Sequence, residues 1–142
     1  MLNNHLNCKM ITDPKELEAR FFQCTSLEDA LEIVRSCGIE NGMISIHNPQ
    51  GEYTAVSESS TAFAGRKPKE LISNSAYDYF HPEDFQTILK SHAKITIRPD
   101  VDKVEYRLRM PNGDFKEVCS LSRQVREQNG LEFLLALTFE RR

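Results

Sequence analysis

The sequence predicts an α+β domain: an antiparallel five-stranded sheet with short helices and one longer helix over one face, preceded by flanking helices. Three observations carry this. Apolar residues recur at helical spacing as far as Val34, then change to alternation from Met43 onward. Turn signals at Pro49–Gly51, Pro111–Asp114 and Asn129-Gly130 separate the alternating runs, which joins neighbouring strands antiparallel. The final run is apolar on both of its faces, as befits a strand covered from two sides.

Taken in order, residues 1–12 read as a loose leader. Asp13 is an N-cap with Pro14 in the first turn, and Leu17, Phe21 and Cys24 follow at helical spacing. Thr25 with Glu28 fits a capping box for a second helix striped by Leu27, Ala30, Leu31 and Val34. Gly38 suits its left-handed stop. Met43–His47 and Tyr53–Val56 read as a hairpin of two strands. Ser57–Gly65, Pro68–Ile72 and Ser75–Phe80 are long enough only for single- or two-turn pieces.

His81-Pro82-Glu83-Asp84 then starts the longer helix, with Pro at N1 and two acids where the dipole favours them. That helix carries Phe85, Ile88, Leu89 and His92 on one face and should run to about Thr96. Val104, Tyr106, Leu108 and Met110 alternate with Glu105, Arg107 and Arg109, giving a third strand. Phe115–Val125 and Leu131–Phe139 complete the sheet. In the last strand Leu131, Phe133, Leu135, Leu137 and Phe139 share one face, and Leu134 and Ala136 lie on the other. The N-terminal helices are expected to cover the Leu134–Ala136 face or a dimer seam.

Composition narrows the function. The chain has 142 residues, 39% apolar, with 18 basic and 21 acidic side chains and net charge −3. That suits one ordinary globular core and argues against disorder or a nucleic-acid partner. No apolar run reaches the ~18 residues of a membrane span, and Met1–Asp13 lacks the apolar stretch of a secretory signal. A cytoplasmic protein with no membrane partner is the expectation. Cys8, Cys24, Cys37 and Cys119 are widely spread without a Cys-x-x-Cys pair, so reduced, buried or bystander thiols are expected.

Five segments, in this order, resemble a PAS domain. Asn48-Pro49-Gln50-Gly51 is similar to its first hairpin, and Val56-Ser57-Glu58-Ser59 to the start of its first short helix. Phe63-Ala64-Gly65-Arg66-Lys67-Pro68-Lys69-Glu70-Leu71-Ile72 resembles its Gly-Tyr-x-x-Glu-Glu-Leu-Ile segment. His81-Pro82-Glu83-Asp84 resembles its His-Pro-x-Asp helix start. Tyr106-Arg107-Leu108-Arg109 with Asn112-Gly113 resembles its Tyr-Arg…Asp-Gly hairpin. The resemblance spans about residues 43–140, and divides the chain into a leader with flanking helices (1–42) and a PAS domain (43–142). Three departures stand out. Glu117 replaces a usual aromatic, Ser73 replaces a frequent Gly, and the chain ends Leu137-Thr138-Phe139-Glu140-Arg141-Arg142 without the family's Asp-x-Thr.

The resemblance implies a sensory and signal-transduction module, the input part of a larger bacterial-type regulator whose effector is not visible in this chain. The alternative is a dimerisation or protein-interaction module with a filled core. A ligand would sit between the sheet and the longer helix, lined by Phe63, Tyr79, Phe85, Leu89, His92, Tyr106 and Leu121. No cofactor is expected. The family's flavin-reactive Cys has no counterpart in Ile72-Ser73-Asn74-Ser75-Ala76-Tyr77, and His92 lacks the spacing of a haem ligand. No metal-ligand spacing occurs, and His5 and His47 are isolated. Arg107 and Arg109 read as a solvated strand face paired with Glu105 or Glu117. His92 with Tyr106 is the one acid–base pair the sequence offers, and no nucleophile elbow or phosphate-binding loop accompanies it, so catalysis is not expected. The two amphipathic helices are short and marginal alone, and a homodimer through their stripes is the expected assembly.

Overall fold

Asp13 begins the ordered helical part as expected: its side chain accepts from the Lys15 amide at 3.2 Å and opens α1 (Pro14–Gln23). A computed structural model describes residues 10–97 and 100–141; His5, Cys8 and most of the expected leader lie outside them. The leader reading fails for its last residues. Ile11 is buried and pairs in a parallel bridge with Cys37, its amide donating to the Ser36 carbonyl at 2.6 Å. That bond ends α2 (Leu27–Ser36) by drawing the chain into an extended path, so Gly38 is not a left-handed stop. The cap of α2 is also one residue later than expected: Ser26, not Thr25, accepts from Asp29 at 3.1 Å.

The sheet consists of β1 (Gly42–His47), β2 (Tyr53–Val56), β3 (Asp102–Arg109), β4 (Phe115–Arg126) and β5 (Glu132–Glu140). Its order is β2-β1-β5-β4-β3, antiparallel throughout. Between β2 and β3 run α3 (Ser60–Ala64), α4 (Pro68–Leu71), two 3-10 turns (Ala76–Tyr79 and Pro82–Asp84) and the longer helix α5 (Phe85–Ile97). Each outer strand is bonded at one end by a flanking segment. Ser73 and Asn74 exchange backbone hydrogen bonds with Tyr53, and the His81 amide donates to the Arg107 carbonyl at 3.0 Å.

Each face carries its own core. Ile44, Ile46, Val125, Phe133, Leu135 and Leu137 pack with Leu17, Phe21, Ala30, Ile33 and Val34 of α1 and α2. The α1–α2 corner is fixed to β4 by charge-assisted bonds. Arg123 Nη1 donates to the carbonyls of Phe21 and Cys24 at 2.9 and 2.6 Å, and the Leu27 amide donates to Glu127 at 2.5 Å. These contacts place a cation at the C-terminus of one helix and an anion at the N-terminus of the next, as their dipoles favour. Here one expectation is corrected. The N-terminal helices cover the Phe133–Leu137 face, not Leu134 and Ala136. Ala30, Ile33 and Val34 of the second stripe are buried against this sheet, and Leu27 and Leu31 are partly buried beside them.

Arg107 keeps its side chain partly in solvent but has a different partner from the one expected. Its Nε and Nη2 grip both oxygens of Asp84 at 3.1 and 2.9 Å, and its own amide adds a third bond at 2.8 Å. This fork holds the Asp84 carboxyl below its usual range and pins the start of α5 to β3. Lys94, near the other end of α5, pairs with Asp102 at 2.9 Å. Glu105 and Glu117, the expected partners of Arg107 and Arg109, instead pair with Arg141. Among the described residues no helix is long and apolar enough to cross a membrane.

Candidate functional site

The space under α5 exists because three neighbouring strands present small side chains in register. Ser45 of β1 lies opposite Ala136 of β5, which lies opposite Ser122 of β4. In the next row Thr138 faces Ser120. Large side chains at these positions would meet α5, whose inward residues are Ile88, Ser91, His92 and Ile95. What remains is a cavity of about 80 Å³. That is several times the ~10–15 Å³ needed to admit one water.

Of the seven residues expected to line it, the structure brings His92 and Tyr106 to its wall. Phe63 and Tyr79 are buried in the adjoining core with Leu71 and Leu108, outside the lining. Phe85 is half-buried, its ring edge-on to Tyr77 at 6.1 Å. Two assignments are corrected outright. Leu89 is 47% exposed, because the inward stripe of α5 runs through Ile88, Ser91 and Ile95 and turns Leu89 outward. Leu121 packs among the α1–α2 core, since odd-numbered residues of β4 face that side.

Several lining residues escaped sequence reasoning, His47 foremost. It is buried on the cavity face of β1, its ring 4.5 Å from that of Tyr53. Nδ1 lies 3.5 Å from the Gly51 carbonyl, which can only accept, so Nε2 accepts from the Ser45 hydroxyl at 2.8 Å. Burial lowers the imidazole pKa from 6.5 to about 4. Ser45 and His47 thus touch as a nucleophile and base do, but an imidazole so hard to protonate is a weak base, and the pair reads as a satisfied buried network. The only available signal was Ser45, Ser120, Ser122, Ala136 and Thr138 at same-face positions, legible only once the register is known.

The remaining hydroxyls largely satisfy one another. Tyr106 Oη lies 2.7 Å from Ser120 Oγ, which lies 2.7 Å from Thr138 Oγ1, a chain across β3, β4 and β5. On the helix side Tyr77 Oη lies 3.2 Å from Nδ1 of His92. Burial also lowers the His92 pKa, against a smaller opposing effect of the Pro49 backbone. Among the described residues no Asp, Glu, Lys or Arg lines the cavity. Among the described residues no three His, Cys, Asp or Glu side chains group to hold a metal ion. The arrangement is therefore neutral, hydroxyl-rich and small.

Residues 53–134, more than half of the chain, match the family model described as PAS fold. The chain is 30% identical over 78 residues to the protein cycle of Drosophila melanogaster, covering 54% of this chain and 19% of that protein. It is 28% identical over 72 residues to hypoxia-inducible factor 1-alpha of Oncorhynchus mykiss, covering 51% of this chain and 9% of that protein. It is 30% identical over 66 residues to basic helix-loop-helix ARNT-like protein 2 of Mus musculus, covering 46% and 11%. The chain thus spans a fifth or less of the length of these relatives. Among solved structures, Drosophila melanogaster Cycle PAS-B with bound ethylene glycol superposes with a TM-score of 0.65 at 24% identity, covering 70% of this chain and 99% of that one. A variant of the same domain with bound glycerol gives 0.66 at the same identity and coverage.

Proposed function

Because this chain belongs to the PAS-fold family, we propose that it is a signalling module that admits a small neutral molecule between its longer helix and its sheet. The observation that carries the reading is the hollow over Ser45, Ala136 and Ser122, which the surrounding side chains leave unfilled. Its two titratable imidazoles are held toward the neutral form and its hydroxyls are mutually bonded, so a charged ligand would have no counter-charge there. The similar Cycle structures are described with glycerol and ethylene glycol bound, and uncharged molecules of that size suit the volume. Occupancy would shift the balance between two packings of α5 on the sheet, which a partner protein or further domain reads. The relatives named above are animal proteins, so the reading does not extend to a regulator of bacterial type.

Titrating the full chain with glycerol and with ethylene glycol, followed by amide NMR, tests the proposal. Saturable shifts centred on Ser45, Ser120, His92 and Ala136 are expected. Small shifts spread evenly over the surface would favour an interaction module that takes no ligand. Native mass spectrometry of the protein from its own host would then identify any molecule it retains.

A further inference from the structure

At the end of the fold where α3 meets the β3–β4 hairpin, a cation is buried without an acid. Arg66 is only 9% exposed, yet among the described residues neither it nor Arg109 takes part in an ion pair. Buried arginines are ordinarily matched by a carboxylate. Instead the Arg66 guanidinium lies 4.6 Å from the centre of the Tyr79 ring and donates through Nη1 to the Arg109 carbonyl at 2.6 Å. Arg109 extends over the same ring at 5.8 Å and donates through Nη2 to the Asp78 carbonyl at 2.6 Å. Two like charges therefore share one aromatic ring.

Neither nearby acid, Glu70 or Asp78, forms an ion pair with these two arginines. Glu70 accepts from the Lys67 amide at 2.8 Å, and Asp78 offers Arg109 its backbone carbonyl. Lys116, whose Nζ donates to the Phe63 carbonyl at 2.5 Å, adds positive charge to the same end. Burial, and then the charge of Arg109, work against protonation of Arg66, with smaller opposing effects from Tyr79, Tyr53 and Glu70, and an arriving anion would offset the charge of Arg109. Each guanidinium carries five N–H donors and spends one on the carbonyl named for it. No buried side-chain nitrogen or oxygen among the described residues lacks a partner, so Nε and Nη2 of Arg66, which make no such bond, keep contact with solvent, and Arg109 is exposed.

We propose that Arg66 and Arg109, braced on Tyr79, form a receptor for one oxyanion group, a carboxylate or a phosphate, presented at the surface of this domain. The fork geometry of guanidinium matches two oxygens at once, and a second guanidinium near the same ring would fix the orientation of the group. The site lies apart from the cavity, none of whose lining residues it uses.

The test uses the full chain and two probes, acetate and inorganic phosphate, each against chloride at constant ionic strength. Arginine Nε–H signals of Arg66 and Arg109 should shift saturably, with half-saturation on the order of 1–30 mM, the strength a few charge-assisted hydrogen bonds supply to a small ion. Tighter response to acetate would assign the site to acidic side chains, and tighter response to phosphate to phosphoryl groups. R109Q, at an exposed position, should weaken the response about fivefold or more while leaving the fold intact, and R66Q should abolish it. A response no greater than that to chloride, or one unchanged in R109Q, would overturn the proposal and leave Arg66 as a brace for Tyr79 alone.

Discussion

The hydroxyl of Tyr77 meets Nδ1 of His92 at 3.2 Å, joining the 3-10 turn before α5 to the helix itself at the wall of the cavity. Both side chains are half-buried, and Gly51 approaches so closely that a Cβ there would lie 3.2 Å from the Tyr77 ring. Gly51 also has φ of +87°, which other residues adopt only with strain. Turn, helix and hairpin are thus fitted together around the space they enclose.

That space is a packing deficit, so filling it should stabilise the protein. Ala136→Val adds volume between Ser45 and Ser122 and should raise stability by about 0.5–2 kcal/mol while abolishing any shift on adding glycerol. Chemical denaturation and the same NMR titration read both effects. A variant clearly less stable than the parent would show that no room exists at this position.

Acid should weaken the fold through His47. Its pKa is lowered from 6.5 to about 4 in the native state, so between those values the unfolded chain binds a proton that the folded chain refuses. Stability is then complete above about pH 6.5 and falls as the pH drops toward 4, by about 3 kcal/mol for this group. His92, shifted in the same direction, adds to the loss. His47→Gln should flatten the dependence measured by urea unfolding at a series of pH values; an unchanged slope would mean that other groups cause it.

Charges in the stripes of α2 should unfold the chain rather than separate subunits. Val34 is buried and Leu31 half-buried against the chain's own sheet, so Leu31→Glu with Val34→Glu places two carboxylates against Phe133–Leu137. A loss of several kcal/mol is expected. Circular dichroism and sedimentation distinguish the outcomes: a folded monomer of parental stability would show that these faces do not pack in one chain.

The purified protein should be colourless. His92 already bonds Tyr77, the surrounding cavity of about 80 Å³ is far smaller than a macrocycle, and the segment Asn74-Ser75-Ala76 holds no thiol for a flavin adduct. Visible absorption spectroscopy checks this, and a Soret band or a flavin band would refute it.

The order of elements, the Asp13 cap and the hairpin turns were all legible in the chain, because each depends on residues close in sequence; Pro82 opens a 3-10 turn that leads into the longer helix at Phe85. Alternation in β5 likewise revealed two apolar faces. It did not reveal that α1 and α2 take the Phe133 face and α5 the Leu134 face, since either layer could bury either set. The partner of Arg107 was hidden for a similar reason: Asp84 is distant along the chain and reaches it only around the sheet edge. The cavity itself was decided wholly by tertiary structure. Ser45, Ser122 and Ala136 are unremarkable singly, and they leave a hollow only because β1 pairs with β5, and β5 with β4, in a register that sets three small side chains in one row beneath α5.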